Sequence, residues 1–167
     1  MSKTAVIWGA SGGIGQALVR QLTEEGWQVA AIARNVDKLA GLTDIQLEAD
    51  VSNPFAVQQA AYNLALEIEE ASLWIYTVGS ILGAPVEEMS AENWQAIINA
   101  NLTGAFLATH HSLPSLTSDA HLMYVGAVSE RLRLPKISAY VAAKAGLEAI
   151  VEMVRKEQRT RRETLIR

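Results

Sequence analysis

A tyrosine and a lysine, Tyr140 and Lys144, lie four residues apart in the stretch SAYVAAKAG. In a helix this spacing places both side chains on the same face. A lysine ammonium beside a phenol favours the phenolate and lowers a tyrosine pKa that is otherwise about 10. Such a pair could exchange a proton with a substrate near neutral pH. Taken alone, however, the same spacing also describes an ordinary helix surface.

Four glycines fall within the eight residues WGASGGIG, at positions 8–15. The stretch TAVIW, at positions 4–8, is an apolar run typical of a strand. Ile14, Leu18 and Leu22 then recur every four residues, which indicates a helix. The glycines therefore join a first strand to a first helix, and this placement disfavours the alternative of a mobile linker.

Three of these glycines have distinct predicted roles in a strand-to-helix turn. Gly9 allows the tight turn, Gly13 lets the backbone approach a pyrophosphate, and Gly15 lets the helix pack against the sheet. The free amides and the positive dipole end of the helix favour an anion. We therefore expect this turn to bind a nucleotide, with Ile14 among the contacting residues.

Strand-like and helical segments alternate along the whole chain. Further strands are predicted at 28–33, 45–49, 73–78 and 121–125, and a sixth at 164–166. Further helices are predicted from Asn53-Pro54, at 91–112 after a Ser90 cap, and at 138–158. Such alternation predicts an α/β fold with a Rossmann-like, doubly wound parallel sheet in three layers, with helices on both faces. We expect one domain over residues 1–167, with ligands at the carboxyl ends of the strands.

The composition limits the classes of protein to which this chain can belong. Of its 167 residues 50% are hydrophobic and 19% are charged, and the formal net charge is −4. A mildly acidic chain with no apolar run near the roughly 20 residues of a membrane helix predicts neither a nucleic-acid nor a membrane partner. The absence of cysteine excludes thiol chemistry and disulfides, and it fits a cytoplasmic protein. The three histidines lack ligand spacing, so no metal site is predicted.

Three further motifs accompany the glycine turn and the tyrosine–lysine pair. ADV follows the third strand at positions 49–51, Gly79 ends the fourth strand, and Asn101 lies in NANLTGAF within a predicted helix. In this order, the five motifs resemble those of the short-chain dehydrogenase/reductase family. The resemblance extends over essentially the whole chain.

The resemblance implies an oxidoreductase that reduces a small-molecule carbonyl compound, or oxidises an alcohol, by hydride transfer with a nicotinamide dinucleotide. Tyr140 would protonate the carbonyl oxygen, and Lys144 would also hold the hydroxyls of the nicotinamide ribose. Asn101 would position a water in the proton relay. Asp50 and Val51 would contact the adenine end of the cofactor, where the family binds it.

The residues after the second strand favour NADP(H) over NAD(H). An acidic residue at this point would bind the adenosine ribose hydroxyls of NAD, but Ala33 and Arg34 stand there instead. A guanidinium can pair with a 2′-phosphate through two hydrogen bonds, whereas a carboxylate would repel it. Ser11 could donate a further hydrogen bond to that phosphate. The alternative is that Arg34 is a solvated surface arginine.

Two departures from the family's pattern affect the predicted active site. The family has a serine thirteen residues before the tyrosine, where this chain has Ala127. Ser129 is the nearest hydroxyl and could replace that serine if the loop is distorted; otherwise the site lacks a donor whose loss typically costs about 10²–10³ in rate. The family's Asn-Asn-Ala-Gly motif has become Tyr-Thr-Val-Gly at 76–79. Only Gly79 remains to approach the cofactor, and we expect the hydrogen bonds of the asparagines to be lost.

Two further departures concern the first strand and the length of the chain. Trp8 stands where the family usually has threonine, and core packing is its predicted role. Family members continue beyond the sixth strand with a last helix and a seventh strand. The resemblance therefore implies that the final strand or strands are missing from the given sequence, either because the protein is natively short or because the sequence is a fragment.

Two alternatives to the oxidoreductase prediction stay open at this point. A non-catalytic NADP(H)-binding sensor or scaffold would explain Ala127 and the altered loop at Gly79. The same fold could also use its cofactor for an epimerisation or a dehydration. In either case the predicted helices at 91–112 and 138–158 carry apolar residues on more than one face. Family members commonly associate through the equivalent helices, so we expect a homodimer or a homotetramer.

Overall fold

The computed structural model describes residues 3–128 and 134–167, and its central element is a six-stranded parallel sheet. The strands are β1 (Thr4–Trp8), β2 (Gln28–Ala33), β3 (Ile45–Glu48), β4 (Ala71–Tyr76), β5 (Leu116–Val125) and β6 (Arg162–Ile166). Their order across the sheet is β3-β2-β1-β4-β5-β6, and every neighbouring pair is parallel. This is the Rossmann-like, doubly wound arrangement that the alternation of elements predicts.

The helices of the described chain connect these strands. They are α1 (Gly13–Glu24), α2 (Pro54–Glu67), α3 (Ala91–Ile98), α4 (Gly104–Ser112) and α5 (Ser138–Glu157). A π-helical segment, Asn99–Thr103, joins α3 to α4. The helix predicted at 91–112 is therefore continuous, but its hydrogen bonding changes in the middle. None of the helices in the described ranges is long and apolar enough to cross a membrane.

Local sequence signals set the starts of two helices. The Asn53 side chain accepts hydrogen bonds from two amides in the first turn of α2, and Pro54 occupies the first position of that helix. The Ser90 side chain accepts a hydrogen bond from the amide of Asn93 at the start of α3. Both residues therefore satisfy amides that the helix leaves without an intrahelical partner, as predicted.

The sheet buries side chains on both faces because successive residues of a strand point in opposite directions. On one face α2, α4 and α5 cover a large cluster that includes Trp8, Trp74, Tyr76 and Tyr124. On the other face α1 covers a smaller cluster built on β1 and β2. Trp8 is fully buried, as predicted, and its indole nitrogen donates a hydrogen bond to the hydroxyl of Ser112.

Some predicted boundaries and faces differ from the observed ones. β4 spans Ala71–Tyr76, two residues earlier than predicted, so Gly79 lies beyond the strand rather than at its end. β5 begins at Leu116, five residues earlier than predicted. Leu116 pairs with Ala71 of β4, and the register of the two strands shifts between Ala71 and Leu73. Ile14 is 56% exposed, and the buried residues of α1 are Gly15 and Val19. Of the predicted stripe on α1, Leu18 and Leu22 pack against the smaller cluster, and only Ile14 lies outside the covered face.

The sheet order reverses between β1 and β4. Strands β2 and β3 continue on one side of β1, whereas β5 and β6 continue on the other side of β4. In such sheets the connections leave β1 and β4 in opposite directions, and a crevice opens at the carboxyl ends of these two strands. The segments that follow β1 and β4 therefore meet at the position where a ligand is expected.

Candidate active site and cofactor cavity

Backbone segments approach each other closely around the turn after β1. Only glycine fits at Gly9 in the turn and at Gly15 in the first turn of α1. Gly9 has a φ of +84°, and a Cβ there would lie 2.7 Å from Oγ1 of Thr77. A Cβ at Gly15 would overlap the carbonyl oxygen of Gly9 and lie 2.7 Å from the Cα atom of Ala10. By contrast, a Cβ at Gly13 would meet nothing within 4 Å. The backbone at Gly13 is therefore open to an approaching group.

A cavity of about 400 Å³ lies beside this turn, at the carboxyl ends of the strands. Its walls come from the glycine turn, from the segments after β2 and β3, and from the loop after β4. The predicted cofactor-binding residues that line it are Gly9, Ser11, Arg34, Asp50, Val51 and Gly79. The cavity has the size of a small-molecule site. The fold therefore brings these six residues together from four separate segments.

Two cations line the cavity after β2. Arg34 directly follows the strand, and Lys38 lies four residues further on, in a 3₁₀ turn. Burial raises the pKa of the nearby Asp50 carboxyl, but hydrogen bonds from the amide and hydroxyl of Ser52, together with the Arg34 charge, outweigh this effect. The pKa of Asp50 consequently lies below its usual value. This wall of the cavity thus carries one anion and two cations.

Asn101 lies in the π-helical segment and is fully buried. Its side-chain nitrogen donates to the carbonyl oxygens of Ser80 at 2.7 Å and Ile97 at 2.9 Å. Its Oδ1 atom is buried and has no hydrogen-bond partner within residues 3–128 and 134–167. A Cβ at Gly79 would lie 3.2 Å from this oxygen and 3.9 Å from Nζ of Lys144. The acceptor of Asn101 and the ammonium of Lys144 therefore both lie beside Gly79.

Lys144 and Tyr140 lie on one face of α5. Lys144 is only 2% exposed, and its Nζ atom donates to the carbonyl oxygen of Val125 at 2.7 Å. The same Nζ atom lies 5.7 Å from the centroid of the Tyr140 ring. The end of β5 therefore fixes an ammonium group between the phenol of Tyr140 and the loop at Gly79.

Ser129 lies outside the described residues, so its catalytic role stays a prediction. Ala127, where the resemblance places a serine, is half-buried two residues beyond β5. Before α5, the carbonyl oxygen of Lys136 accepts a hydrogen bond of 2.7 Å from the amide of Ala84. This bond ties the loop after β4 to the segment that leads into α5.

The end of β4 and the loop after it lack the family's asparagines, yet two other side chains form hydrogen bonds at this point. The hydroxyl of Thr77 donates to the carbonyl oxygen of Trp8 at 2.9 Å and also lies 3.1 Å from that of Gly9. The hydroxyl of Tyr76 donates to the carbonyl oxygen of Ala100 at 2.7 Å. The hydrogen bonds of the asparagine side chains are absent, as expected, but the segment still has side-chain hydrogen bonds from Tyr76 and Thr77. The partners of both hydroxyl groups are backbone carbonyls of other segments.

Sequence reasoning missed Lys38, Tyr76 and Thr77 as residues of the site. Lys38 carries a readable signal, because it is a second cation four residues after the predicted cofactor residue Arg34. Tyr76 and Thr77 carry no comparable signal. Their hydroxyls bond to carbonyls that lie 24 and 69 residues away in the sequence. Such contacts exist only once the chain has folded.

The residues present fit a dinucleotide cofactor. The glycine turn leaves open backbone at Gly13, and the adjoining cavity has cationic side chains on one wall. The buried acceptor of Asn101 lies next to a glycine that also lines the cavity. A phosphate group and a hydroxyl-bearing group would satisfy these features, respectively. Among the described residues no cluster of three or more histidine or carboxylate side chains could hold a metal ion.

Known proteins that are similar to this chain are dehydrogenases, oxidoreductases and reductases. The family model described as short chain dehydrogenase matches residues 3–167. Serine 3-dehydrogenase of Agrobacterium fabrum is 32% identical over 123 residues, which make up 70% of this chain and 49% of that relative. MabA of Mycobacterium avium, a 3-oxoacyl-[acyl-carrier-protein] reductase, is 29% identical over 159 residues, which make up 94% of this chain and 62% of MabA.

A solved structure shares the fold over the whole chain. It is an alcohol dehydrogenase from the archaeon Thermococcus sibiricus, complexed with 5-hydroxy-NADP. The TM-score is 0.95 at 26% sequence identity, and the match covers 100% of this chain and 76% of the archaeal chain.

The fold and the structural similarity together define a Rossmann-like α/β protein. Within that class, the chain belongs to the short-chain dehydrogenase family. It spans about half the length of the serine 3-dehydrogenase that it matches, at 49%. The relatives are named as enzymes, so the alternative of a non-catalytic sensor or scaffold is not favoured.

Proposed function

We propose that this protein is an NADP(H)-dependent oxidoreductase that reduces a small-molecule carbonyl compound, or oxidises an alcohol, with Tyr140 as the general acid and base. The position of Gly79 carries this proposal. This residue lines the cavity, and a Cβ on it would lie 3.2 Å from Oδ1 of Asn101 and 3.9 Å from Nζ of Lys144. Gly79 therefore lies between the cavity and two of the groups that we propose to take part in the proton transfer.

Tyr140 and Lys144 act together in the proposed reaction. When bound, the nicotinamide supplies the hydride that reaches the carbonyl carbon. Tyr140 donates its phenolic proton to the carbonyl oxygen, so the product is an alcohol and the tyrosine becomes a phenolate. Lys144 stabilises the phenolate because the Val125 carbonyl holds its ammonium 5.7 Å from the ring centroid. Lys144 also binds the hydroxyls of the nicotinamide ribose.

Asn101 takes part by positioning a water in the proton relay. Both observed hydrogen bonds of its nitrogen go to backbone carbonyls, those of Ser80 and Ile97. The amide cannot turn without breaking these bonds, so Asn101 keeps its place beside Gly79. From this place Asn101 orients a water that returns a proton to Tyr140 by way of Lys144. An acceptor fixed in advance costs no reorganisation during the reaction.

The preference for NADP(H) follows from the residues around the cavity after β2. Arg34, Lys38 and Ser11 line this part of the cavity and supply two positive charges and a hydroxyl donor to a 2′-phosphate. Asp50 and Val51 line the adjoining wall and contact the adenine. The similar alcohol dehydrogenase of Thermococcus sibiricus was solved with 5-hydroxy-NADP, which supports the same preference.

The proposal is tested by cofactor binding and turnover in the wild type and in Tyr140→Phe. NADPH should raise the melting temperature of the wild type more than NADH does. The wild type should oxidise NADPH with at least one member of a panel of aldehydes, ketones and quinones. Tyr140→Phe should lower this rate by at least about 10²-fold, because it removes the acidic proton. Its stabilisation by NADPH should stay nearly unchanged.

The matched control is Tyr62→Phe, which removes a hydroxyl from a tyrosine that is 62% exposed on α2. This variant should keep both turnover and cofactor binding. Full turnover in Tyr140→Phe would refute the role of the phenol. Tight NADPH binding by the wild type without consumption of NADPH over the whole panel would refute the reaction.

We further propose that the protein is cytoplasmic and forms a homodimer or homotetramer through its helices. On α4, Phe106 is 50% exposed and stacks on His110 with ring centroids 5.9 Å apart. A helix that exposes a large apolar side chain gains stability when a second copy covers it. Static light scattering at micromolar concentration gives the mass directly, and a monomer would contradict this part.

A further inference from the structure

The π-helical segment marks a change in hydrogen bonding next to the candidate active site. The amide of Gly104 donates to the carbonyl oxygen of Asn99, five residues earlier. In an α-helix the same amide would donate to Ala100, four residues earlier. Single π turns of this kind are rare and occur frequently at functional sites. Asn101 lies in the middle of this segment.

Tyr76 reaches this segment from the end of β4. Its hydroxyl donates to the Ala100 carbonyl at 2.7 Å, and its side chain is fully buried. The ring is fixed because it stacks on Trp74, with centroids 6.1 Å apart and an interplanar angle of 18°. Burial raises the pKa of the Tyr76 phenol, as does the charge of Asp50 to a smaller extent. The phenol therefore stays protonated at neutral pH and donates its hydrogen bond to the carbonyl oxygen of Ala100.

The space for this hydroxyl exists because residue 104 is a glycine. A Cβ on Gly104 would lie 2.7 Å from the hydroxyl oxygen of Tyr76 and 2.8 Å from the carbonyl oxygen of Asn99. Tyr76, the π turn and Gly104 therefore depend on one another sterically. No signal in the sequence pairs these two positions, which are 28 residues apart.

We propose that Tyr76 is a positioning residue, which holds the π-helical segment and thereby fixes the position of Asn101 beside the candidate active site. The carbonyl of Ala100 and the amide of Asn101 belong to the same planar peptide unit. A hydrogen bond to this carbonyl therefore sets the orientation from which the Asn101 side chain departs. The inference rests on the proposed function, in which Asn101 orients a water.

The residue after Tyr76 extends the same role to the cofactor turn. The hydroxyl of Thr77 donates to the Trp8 carbonyl at 2.9 Å and lies 3.1 Å from the Gly9 carbonyl. Two consecutive residues at the end of β4 thus hold the glycine turn on one side and the Asn101 segment on the other. They replace the family's paired asparagines and link the two halves of the proposed site.

The test compares Tyr76→Phe with Tyr124→Phe as a matched control. Both tyrosines are fully buried in the same cluster, and both rings contact Trp74. The Tyr124 hydroxyl shares a hydrogen bond of 2.9 Å with Thr109, away from the π-helical segment. The two variants therefore lose equivalent core hydrogen bonds, but only Tyr76→Phe frees the Ala100 carbonyl.

Two readouts are measured, amide hydrogen exchange in the cofactor-free protein and steady-state kinetics with NADPH. Tyr76→Phe should speed exchange in residues 97–104 by about fivefold or more, because one hydrogen bond is lost there. It should lower kcat by about tenfold, while the KM for NADPH changes little, because the relay is misaligned and the cofactor cavity is intact. Tyr124→Phe should leave both the exchange of this segment and kcat near wild type.

Absence of turnover in the wild type would refute the proposed function. The hydrogen-exchange result would still test the positioning role of Tyr76 in that case. Equal exchange of residues 97–104 in the two variants would overturn the positioning role. An unchanged kcat in Tyr76→Phe, with an active wild type, would also overturn it. Failure of Tyr76→Phe to fold, when Tyr124→Phe folds, would assign the hydroxyl to stability alone and overturn it as well.

Discussion

Single side chains of the candidate site are fixed by partners on other elements. Asn101 and Lys144 are both almost fully buried, and each donates to a backbone carbonyl that follows or ends a strand. A polar group of this kind is costly to bury unless it is hydrogen-bonded. The sequence motif therefore names the residues, while their direction depends on the carbonyls of Ser80 and Val125.

Arg34 offers the sharpest test of cofactor preference at the residue scale. Arg34→Asp replaces the guanidinium by a carboxylate, which repels a 2′-phosphate and accepts hydrogen bonds from ribose hydroxyls. We expect the affinity for NADPH to fall by at least about tenfold, because a charge-assisted hydrogen bond is lost. The affinity for NADH should hold or improve. Fluorescence titration with each cofactor measures both values.

Arg20→Asp is the control for the net change in charge. Arg20 is exposed on α1 and does not line the cavity. This variant should bind both cofactors as the wild type does. If Arg34→Asp weakens NADPH and NADH equally, Arg34 does not contact the 2′-phosphate.

At the scale of elements, the strand-to-helix turn after β1 separates two uses of glycine. Gly15 packs against the backbone of the turn itself, because a Cβ there would overlap the Gly9 carbonyl. Gly13 faces open space, so a Cβ there is tolerated by the fold. The order of the glycines in the sequence predicts these two different roles. The contacts of Gly15 with the backbone of Gly9 and Ala10 agree with a packing role. The role of Gly13 toward a pyrophosphate stays a prediction.

Alanine should therefore affect stability at position 15 and cofactor binding at position 13. Gly15→Ala should lower the free energy of unfolding by at least about 2 kcal/mol, because neighbouring backbone atoms cannot move aside cheaply. Gly13→Ala should change this free energy by less than about 1 kcal/mol. It should nevertheless reduce the rise in melting temperature that NADPH causes. Urea unfolding and thermal shift measure the two effects.

A Gly13→Ala variant that binds NADPH like the wild type would show that the pyrophosphate lies elsewhere. A Gly15→Ala variant of normal stability would contradict the close approach of α1 to the turn.

The order of elements could be predicted from the sequence, but some details within them could not. The caps at Asn53 and Ser90 are local signals, since side chain and amide lie two or three residues apart. The early start of β5 depends on pairing with β4, which is a long-range contact. The π turn at Asn99–Thr103 likewise coincides with a tyrosine on another element. Local periodicity contains no information on either.

At the scale of the whole molecule, β6 holds an ionisable group in the core. Glu163 is 8% exposed, and neither oxygen of its carboxyl group has a hydrogen-bond partner within the described chain. Burial raises the pKa of Glu163, and the Arg155 and Arg161 charges offset this only in part. The folded protein therefore holds the proton more tightly than the unfolded chain does. The stability that this group contributes is complete below its unfolded pKa and is lost as the pH rises through its folded pKa.

Glu163→Gln should remove this dependence on pH while keeping the shape of the side chain. Relative to the wild type, we expect its free energy of unfolding to increase between pH 5 and pH 8, by about 1 kcal/mol at the upper end. Urea unfolding at the two pH values measures the difference. Glu152→Gln, at an exposed position of α5, is the control and should show no such trend. A difference that shrinks as the pH rises would mean that Glu163 is stabilised as an anion.

The sequence by itself determined the class of fold and the place of the glycine turn, and it predicted the candidate site residues Asn101, Tyr140 and Lys144. These follow from periodicity and from motifs, in which the informative residues lie within a few positions of one another. Only the tertiary structure decided how these parts are joined. It brings Gly79 against Asn101 and Lys144, adds Lys38 to the cavity, and places the hydroxyls of Tyr76 and Thr77 on backbone carbonyls. The reason is physical: a hydroxyl can bond to any carbonyl within reach, and which carbonyl is within reach depends on the strand order and the register of the folded sheet.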